Sequence, residues 1–197
     1  LEWIHAGILR VYEKKNSEEL VHLNYRSESV ESEIVAEGDE LIIRSGNCEI
    51  RVDKDLTLYI TRNGQPYFEE YAGEDAKIYV EDKDFDLAKL EGHKEEDTLA
   101  DFNAQMTFRL FDDEDKIYGL GDKAAHLNRR DYEYISWNTD DPSQHNETYK
   151  SLYKSITYLL VNHHKTSYYG VFYPSSYKCS VNLGKYNKKF IYIGTKK

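Results

Sequence analysis

Apolar and polar residues alternate along most of the chain, whereas apolar residues at helical spacing are rare. The stretch 104–110 shows this most clearly, with apolar residues at every even position and polar residues between them. Such a period of two gives a β-strand one dry face and one wet face. Similar patterns predict strands at residues 8–12, 33–37, 40–45, 48–53, 56–61, 67–71, 77–80, 104–111, 132–137, 156–162, 168–173, 179–183 and 190–193. The chain is therefore predicted to be mostly strand.

Short turn signals such as Gly38-Asp39 and Asn63-Gly64 separate the predicted strands. Asn-Gly suits a tight antiparallel reversal because both residues tolerate a positive φ. Many short strands with close reversals predict an all-β fold, an antiparallel β-sandwich of two sheets. Only residues 85–92 and 94–102 have a helical pattern, so we expect at most one or two short helices. We predict a single domain over residues 1–197.

The chain of 197 residues has 26 Lys plus Arg against 36 Asp plus Glu, a formal net charge of −10. This surplus of negative charge argues against a nucleic-acid partner and against an anionic membrane surface, because both would repel the chain. The longest apolar runs are far shorter than the roughly 20 residues that a membrane-spanning helix needs. We therefore expect neither kind of partner.

The two cysteines, Cys48 and Cys179, both lie within predicted strands. We interpret them as small buried thiols, because one disulfide would add little to a core of this size. No signal peptide is visible at the start, and the chain opens at Leu1 without an initiator methionine, as expected of a trimmed or excised piece. A cytoplasmic location follows as an expectation.

No pattern for a metal, a cofactor or a catalytic nucleophile stands out. His163 and His164 are adjacent, and neighbours on a strand point to opposite faces, so the pair could not hold one ion. Gly119-Leu120-Gly121 lacks the third glycine and the lysine of a phosphate-binding loop, which favours a chain reversal with close backbone approach. We expect no metal and no cofactor.

A polar stretch at residues 138–150 contains almost no apolar residue and is predicted to be an exposed loop. Trp137, Asn138, Thr139 and Asp140 stand at its start. An aromatic ring can cover the apolar face of a sugar while a carboxylate accepts hydrogen bonds from its hydroxyls. These four residues are therefore the candidate substrate-binding residues. A turn capped by aspartate is the alternative explanation.

Five short motifs follow one another in a characteristic order between residues 117 and 173. They are Ile117-Tyr118-Gly119-Leu120-Gly121-Asp122, Leu127-Asn128-Arg129-Arg130, Trp137-Asn138-Thr139-Asp140, Leu152-Tyr153-Lys154-Ser155-Ile156 and Tyr169-Gly170-Val171-Phe172. Each motif alone is weak, but their order and spacing resemble the N-terminal domain of glycoside hydrolase family 31, the α-glucosidase family. This resemblance implies a galactose-mutarotase-like β-sandwich, packed in front of a (β/α)₈ catalytic barrel.

The chain departs from the family pattern at a few positions. Asp122 stands where the family commonly has Glu, and Asp131 stands where it commonly has Gly. Thr157 and Tyr158 replace a frequent Pro-Phe pair. These changes fall at turn or packing positions, so we expect them to reflect a subgroup of the family.

The resemblance also implies retaining hydrolysis of an α-linked glucoside by two carboxylates about 5 Å apart, both on the barrel. Because a barrel needs about 250 residues, we expect it to be absent here, and we expect this chain alone to contain no catalytic residue and to be inactive. The implied partners are the catalytic barrel of the same parent chain and, through its active site, the α-glucoside. In the family an acidic residue of a sandwich loop hydrogen-bonds the sugar, and Asp140 stands at the matching position.

The remaining motif residues are expected to be scaffold. The expected core residues among them are Tyr118, Leu120, Leu152, Tyr153, Ile156, Val171 and Phe172. Arg129 and Arg130 are expected to bind nearby carboxylates, since a planar guanidinium group can orient two acceptors at once.

Two other functions stay open at this point. One is a freestanding carbohydrate-binding β-sandwich whose exposed tyrosines stack on a polysaccharide, and the other is a structural interaction domain that docks a neighbour through an apolar face. The preferred linkage, the choice between glucose and another α-sugar such as xylose, and the oligomeric state are not predicted by this chain.

Overall fold

The computed structural model describes residues 1–11, 29–72, 104–140, 146–147, 149–164 and 168–195. These ranges contain fourteen strands in antiparallel sheets and no helix, which confirms the all-β class. The predicted strand at 77–80 and the helical patterns at 85–92 and 94–102 lie outside the described residues. So do residues 141–145 and 148 of the predicted polar loop.

The chain forms two compact units, Leu1–Glu69 and Glu70–Lys197. The first unit holds a two-stranded sheet and a five-stranded antiparallel meander in the order β3-β4-β5-β6-β7. Its strands are β1 (Glu2–His5), β2 (Ile8–Arg10), β3 (Glu33–Glu37), β4 (Glu40–Ser45), β5 (Cys48–Val52), β6 (Leu58–Arg62) and β7 (Gln65–Glu69). The predicted antiparallel reversals at Gly38-Asp39 and Asn63-Gly64 are confirmed. The expectation of a single domain over residues 1–197 stays a prediction.

The second unit holds a four-stranded sheet, β10-β13-β14-β8, and a three-stranded sheet, β12-β11-β9. Its strands are β8 (Ala104–Arg109), β9 (Lys116–Gly121), β10 (Glu133–Ser136), β11 (Ser155–Asn162), β12 (Tyr168–Phe172), β13 (Cys179–Leu183) and β14 (Phe190–Thr195). Phe108 of one sheet and Tyr169 of the other meet edge to face, with ring centroids 6.5 Å apart. The two sheets therefore form layers of a sandwich around a shared core.

The core between these layers is built from the inward positions of each strand. Four side chains are completely buried: Ile117, Leu159, Val181 and Ile193. Ile117 and Leu159 lie in strands whose neighbouring residues are exposed or half-buried, whereas Val181 and Ile193 lie in strands that are buried on both faces. Burial of such side chains is the main contribution to folding, at about 25 cal/mol for each Å² removed from water.

The sequence does not predict strand β9, because its glycines favour a chain reversal. Gly119 and Gly121 instead lie within β9, at positive φ values of 114° and 75°. A Cβ atom on Gly119 would overlap the carbonyl oxygen of Tyr158, and one on Gly121 would lie 2.6 Å from the carbonyl oxygen of Lys154. The pairing of β9 with β11 is irregular here, so the close backbone approach was correct and the reversal was wrong.

Both cysteines are free thiols. Cys179 is buried, as predicted, whereas Cys48 is half-buried. Across the described residues there is no helix of the length and apolar character needed to cross a membrane.

Candidate functional site

The four candidate residues begin where strand β10 ends. Trp137 follows Ser136 directly, and its side chain is 46% exposed. Asn138 and Asp140 are exposed, while Thr139 is half-buried. The segment 137–140 thus brings an aromatic ring and a carboxylate to the surface within four residues.

Hydrogen bonds hold this segment against the chain that leads into β11. The Asn138 side-chain oxygen accepts from the backbone N–H of Ser155 at 2.8 Å. The backbone N–H of Thr139 donates to the carbonyl oxygen of Leu152 at 3.1 Å. Because these bonds join residues far apart in sequence, the position of the segment depends on the sandwich rather than on a local turn.

Ser151 adds a third link to the same segment. Its hydroxyl donates to the carbonyl oxygen of Trp137 and lies 3.1 Å from the Thr139 hydroxyl. The Thr139 and Asn138 side chains are therefore engaged within the domain. These contacts position the segment, and the substrate-binding role of Asn138 and Thr139 stays a prediction.

The Asp140 side chain differs from its neighbours. Within the described part of the chain, its carboxylate accepts no hydrogen bond and forms no ion pair, and the residue is exposed. A carboxylate in this state can accept hydrogen bonds from the hydroxyl groups of a ligand. Of the four candidates, Asp140 and Trp137 are exposed and have no side-chain hydrogen bond to another described residue.

Two lysines pair with the buried carboxylate of Glu133 at the far end of the loop. The carbonyl oxygen of Lys150 accepts from the backbone N–H of Ile135 at 2.8 Å, and its ammonium group hydrogen-bonds the Glu133 carboxylate. Lys185 contacts the same carboxylate at 3.2 Å. Both ends of the loop are thus attached to β10 or to the chain entering β11.

The two lysines affect the pKa of the Glu133 carboxylate. Burial by itself would raise the pKa of Glu133, but hydrogen bonds from Lys150 and Tyr186 and the charges of Lys150 and Lys185 outweigh burial and lower it. Sequence reasoning missed this cluster. A signal was present, since Glu133 is an acidic residue inside a predicted strand, a position where burial requires a partner.

The model of the glycosyl hydrolase 31 N-terminal galactose mutarotase-like domain matches residues 1–182. The chain belongs to this family. The resemblance inferred from the five motifs is therefore confirmed. A curated relative, Alpha-glucosidase 2 of Bacillus thermoamyloliquefaciens, is 32% identical over 76 residues, which are 39% of this chain and 10% of the relative.

Solved structures share the fold of this family 31 domain. A GH31 dextranase of Flavobacterium johnsoniae, complexed with glucose, has a TM-score of 0.60 at 23% identity, over 83% of this chain and 17% of that chain. The cycloalternan-forming enzyme of Listeria monocytogenes, in complex with a pentasaccharide substrate, has a TM-score of 0.61 at 10% identity, over 88% and 15%. The predicted all-β sandwich is confirmed. The chain spans between 10% and 17% of the length of these three relatives.

A buried lysine supports the candidate segment of this family 31 domain. Lys123 donates from its ammonium group to the Ser155 hydroxyl at 2.8 Å, and the Ser155 backbone in turn binds Asn138. Burial, with a smaller contribution from the nearby charge of Arg129, lowers the pKa of Lys123 to about 8. Lys123 thus helps to hold Ser155, the residue that binds Asn138, in place.

The two arginines of the second motif behave differently. Arg130 lies within ion-pair range of carboxylates, as predicted, at 3.7 Å from Asp113 and 4.0 Å from Asp131. Its guanidinium hydrogen bonds, however, go to the backbone carbonyl oxygens of Asp112, Asp115 and Lys188. Arg129 also donates to a carbonyl oxygen, that of Ala124 at 2.6 Å, and it lies over the Tyr134 ring. The predicted carboxylate partner of Arg129 is wrong for the described residues, because its guanidinium group folds back onto its own loop.

The expected core residues also divide. Leu120 and Leu152 are buried, as predicted, whereas Tyr118 and Val171 are only half-buried. Tyr153, Ile156 and Phe172 are exposed, so the prediction that they belong to the core is wrong. Ile156 and Phe172 occupy the outward positions of their strands, since neighbouring residues on a strand point to opposite faces.

A second polar centre lies at the other end of β9. The Nδ1 atom of His163 lies 3.2 Å from the Asp115 carboxylate, and both side chains are buried. His164 pairs separately with Glu114 at 3.1 Å. Among the described residues no group of three or more His, Cys, Asp or Glu side chains could hold a metal ion.

Proposed function

We propose that the chain is the noncatalytic N-terminal domain of a retaining α-glucosidase, and that it supports a catalytic barrel in the same parent chain. Membership of the family 31 N-terminal domain and the sequence match to an α-glucosidase support this proposal. Retaining hydrolysis uses a nucleophile and an acid/base carboxylate about 5 Å apart. In this proposal both belong to the barrel, so the chain alone hydrolyses no glycoside.

The proposed contribution of this domain is a loop at the substrate subsite. The observation that carries it is the exposed Asp140 carboxylate, which no described residue engages, at the end of a segment held by Asn138 and Thr139. The hydrogen bonds at residues 138 and 139 reduce the conformational entropy that this segment loses on binding, which favours a contact with a sugar hydroxyl. The ring of Trp137 is available to cover an apolar sugar face.

Steady-state kinetics of the full-length enzyme test this role. Asp140→Ala is expected to raise KM for a disaccharide about 10-fold or more, because a hydrogen bond to a charged group contributes about 1.5–3 kcal/mol. Asp140→Asn retains the shape and one acceptor, so its effect is expected to be smaller. Asp39→Ala is the matched control, since Asp39 is also an exposed aspartate but lies in the β3–β4 turn of the first unit.

Two results would count against the subsite role. One is an unchanged KM in both Asp140 variants. The other is an equal change in Asp39→Ala, which would indicate a general effect of surface charge.

A freestanding carbohydrate-binding module is the second candidate function. Exposed Trp137 and Tyr153 favour it, because aromatic side chains at a surface stack on sugars. Calorimetric titration of the chain with maltose separates the two candidates. Millimolar or tighter binding supports the module, whereas undetectable binding supports a partial subsite that is completed by the barrel. A cytoplasmic location stays a prediction.

A further inference from the structure

The outer face of the three-stranded sheet exposes large apolar side chains. Along β11, Thr157, Leu159 and Val161 point inward and are buried. The alternate positions Ile156 and Tyr158 point outward and are 54% and 43% exposed. The strand is therefore apolar on both faces, unlike a strand with one face in water.

The neighbouring strand continues this face. Phe172 of β12 pairs directly with Tyr158 and is 50% exposed. Directly opposite residues of antiparallel strands have side chains in contact range on the same face. A Cβ atom on Gly170 would lie 2.6 Å from the Tyr158 hydroxyl, so the Tyr158 ring lies across the glycine. Ile156, Tyr158 and Phe172 define what we call the outer face.

The outer face is continuous with the candidate site. Ile156 follows Ser155, whose backbone N–H binds Asn138. Tyr153 and Trp137, which are also exposed, lie on the two segments that these hydrogen bonds join. A body that receives Asp140 at its active site would therefore lie near the Ile156 end of the outer face.

We propose that the outer face is the surface on which the catalytic domain of the parent chain docks. The inference rests on the proposed function, because it takes the barrel as the occupant. Two observations favour that occupant. The outer face is next to the Asp140 segment along the chain. The three relatives described above are also much longer than this chain, which spans at most 17% of their length. Contiguous exposed apolar side chains of this kind mark interaction surfaces in soluble proteins.

The proposal explains why the strand motif is apolar at outward positions. Ile156 and Phe172 were expected to be buried, and in this proposal they are, but against the catalytic domain instead of the domain's own core. Apolar side chains at the centre of an interface exclude water as core residues do.

Thiol labelling of the full-length enzyme tests the docking surface. Ile156→Cys and Phe172→Cys are compared with Ile34→Cys, an exposed strand isoleucine of the five-stranded sheet, with modification at each site followed by mass spectrometry. Labelling at 156 and 172 is expected to be about tenfold or more slower than at 34, and all three sites are expected to react alike in urea. Equal rates in the native enzyme would overturn the proposal.

Protein concentration separates the possible occupants. Protection that is constant on dilution supports a domain of the same chain, whereas protection lost on dilution identifies a second copy as the occupant and overturns the proposal. The cysteine variants also make the outer face smaller, so limited proteolysis of other variants provides a second measurement. Tyr158→Phe keeps the face apolar, and its resistance to proteolytic separation of the domains is expected to be unaltered. Separation of the Ile156→Glu protein, with Ile34→Glu intact, also supports docking.

The docking surface and the subsite role can fail separately. Protected sites 156 and 172, together with an unchanged KM in Asp140→Ala, support docking and contradict the subsite role. Reactive sites 156 and 172, together with a raised KM in Asp140→Ala, overturn docking and leave the proposed function standing.

Discussion

Asp115 and Asp140 are both aspartates beside a strand of the second unit, but their surroundings are opposite. The Asp115 carboxylate is buried and accepts from the backbone N–H groups of Phe111, Asp112 and His164 at 3.0, 3.1 and 3.1 Å. The Asp140 carboxylate is exposed, and no described residue engages it.

This difference separates a structural carboxylate from one available to a ligand. In a chain with 36 acidic residues, the type of residue alone cannot decide between these roles. A buried carboxylate with several donors is costly to remove, because the donors lose their acceptor. Removal of an exposed carboxylate without donors costs little folding stability, so its role has to be tested by measuring ligand binding.

The largest effect is expected at Asp115. Asp115→Ala leaves three backbone N–H groups and the His163 ring without their acceptor, so we expect a loss of about 3 kcal/mol or more in the free energy of unfolding. Urea unfolding of the chain measures this loss. Asp113→Ala is the control, since its side chain is fully exposed, and it is expected to change little. A loss in Asp115→Ala no greater than in the control would contradict the structural role.

The next effect is a pH dependence at His163. Burial lowers the pKa of His163, and the charge and hydrogen bond of Asp115 only partly oppose it. The unfolded chain therefore binds more protons than the folded chain between the lowered pKa and the ordinary value of 6.5, so stability falls as the pH falls through that window.

His163→Asn tests this dependence, since asparagine does not titrate and can place an N–H donor near the position of Nδ1. We expect a flatter stability profile below about pH 6.5 than in the parent chain. His126→Asn, at an exposed histidine, is expected to retain the parental profile. Identical profiles for the parent and His163→Asn would show that another group governs the acid side.

A smaller loss of stability is expected at Asn138. Asn138→Ala removes the acceptor of the Ser155 N–H, a single hydrogen bond at the surface, and about 1 kcal/mol is expected. Because Asn138 positions the segment that carries Asp140, KM of the full-length enzyme is expected to rise as well. A changed stability with an unchanged KM would show that the Asn138 hydrogen bond is not needed to position Asp140.

The smallest loss of stability is expected at Asp140. Asp140→Ala removes an exposed side chain that no described residue engages, so the unfolding midpoint is expected to stay within error of the parent. Thermal unfolding followed by circular dichroism checks this. A clear destabilisation would indicate a structural partner and would make Asp140 resemble Asp115.

Alternation along the chain was sufficient to predict most strands. Residues 33–37, 40–45 and 179–183 were predicted with the bounds that the structure shows. Strand β9 was missed because Gly119 and Gly121 have positive φ, which is unusual in a strand and typical of a turn. The local alternation of residues indicates that a segment is a strand, but it does not show that the segment pairs irregularly with a distant strand.

The contacts of the candidate site were less predictable. The Asn138 bond spans 17 residues, and the pair of His163 with Asp115 spans 48, so neither follows from a local pattern. Ile156 and Phe172 were placed in the core because an apolar residue in a strand motif is usually buried. Sequence alone does not show which face of a two-sided apolar strand meets the domain's own core.

A structure of the full-length enzyme with a bound disaccharide tests the central claim most directly. The account predicts an Asp140 carboxylate oxygen within about 3 Å of a sugar hydroxyl, which is hydrogen-bonding distance. An occupied active site with Asp140 in bulk solvent, away from the sugar and from any bridging water, would contradict it.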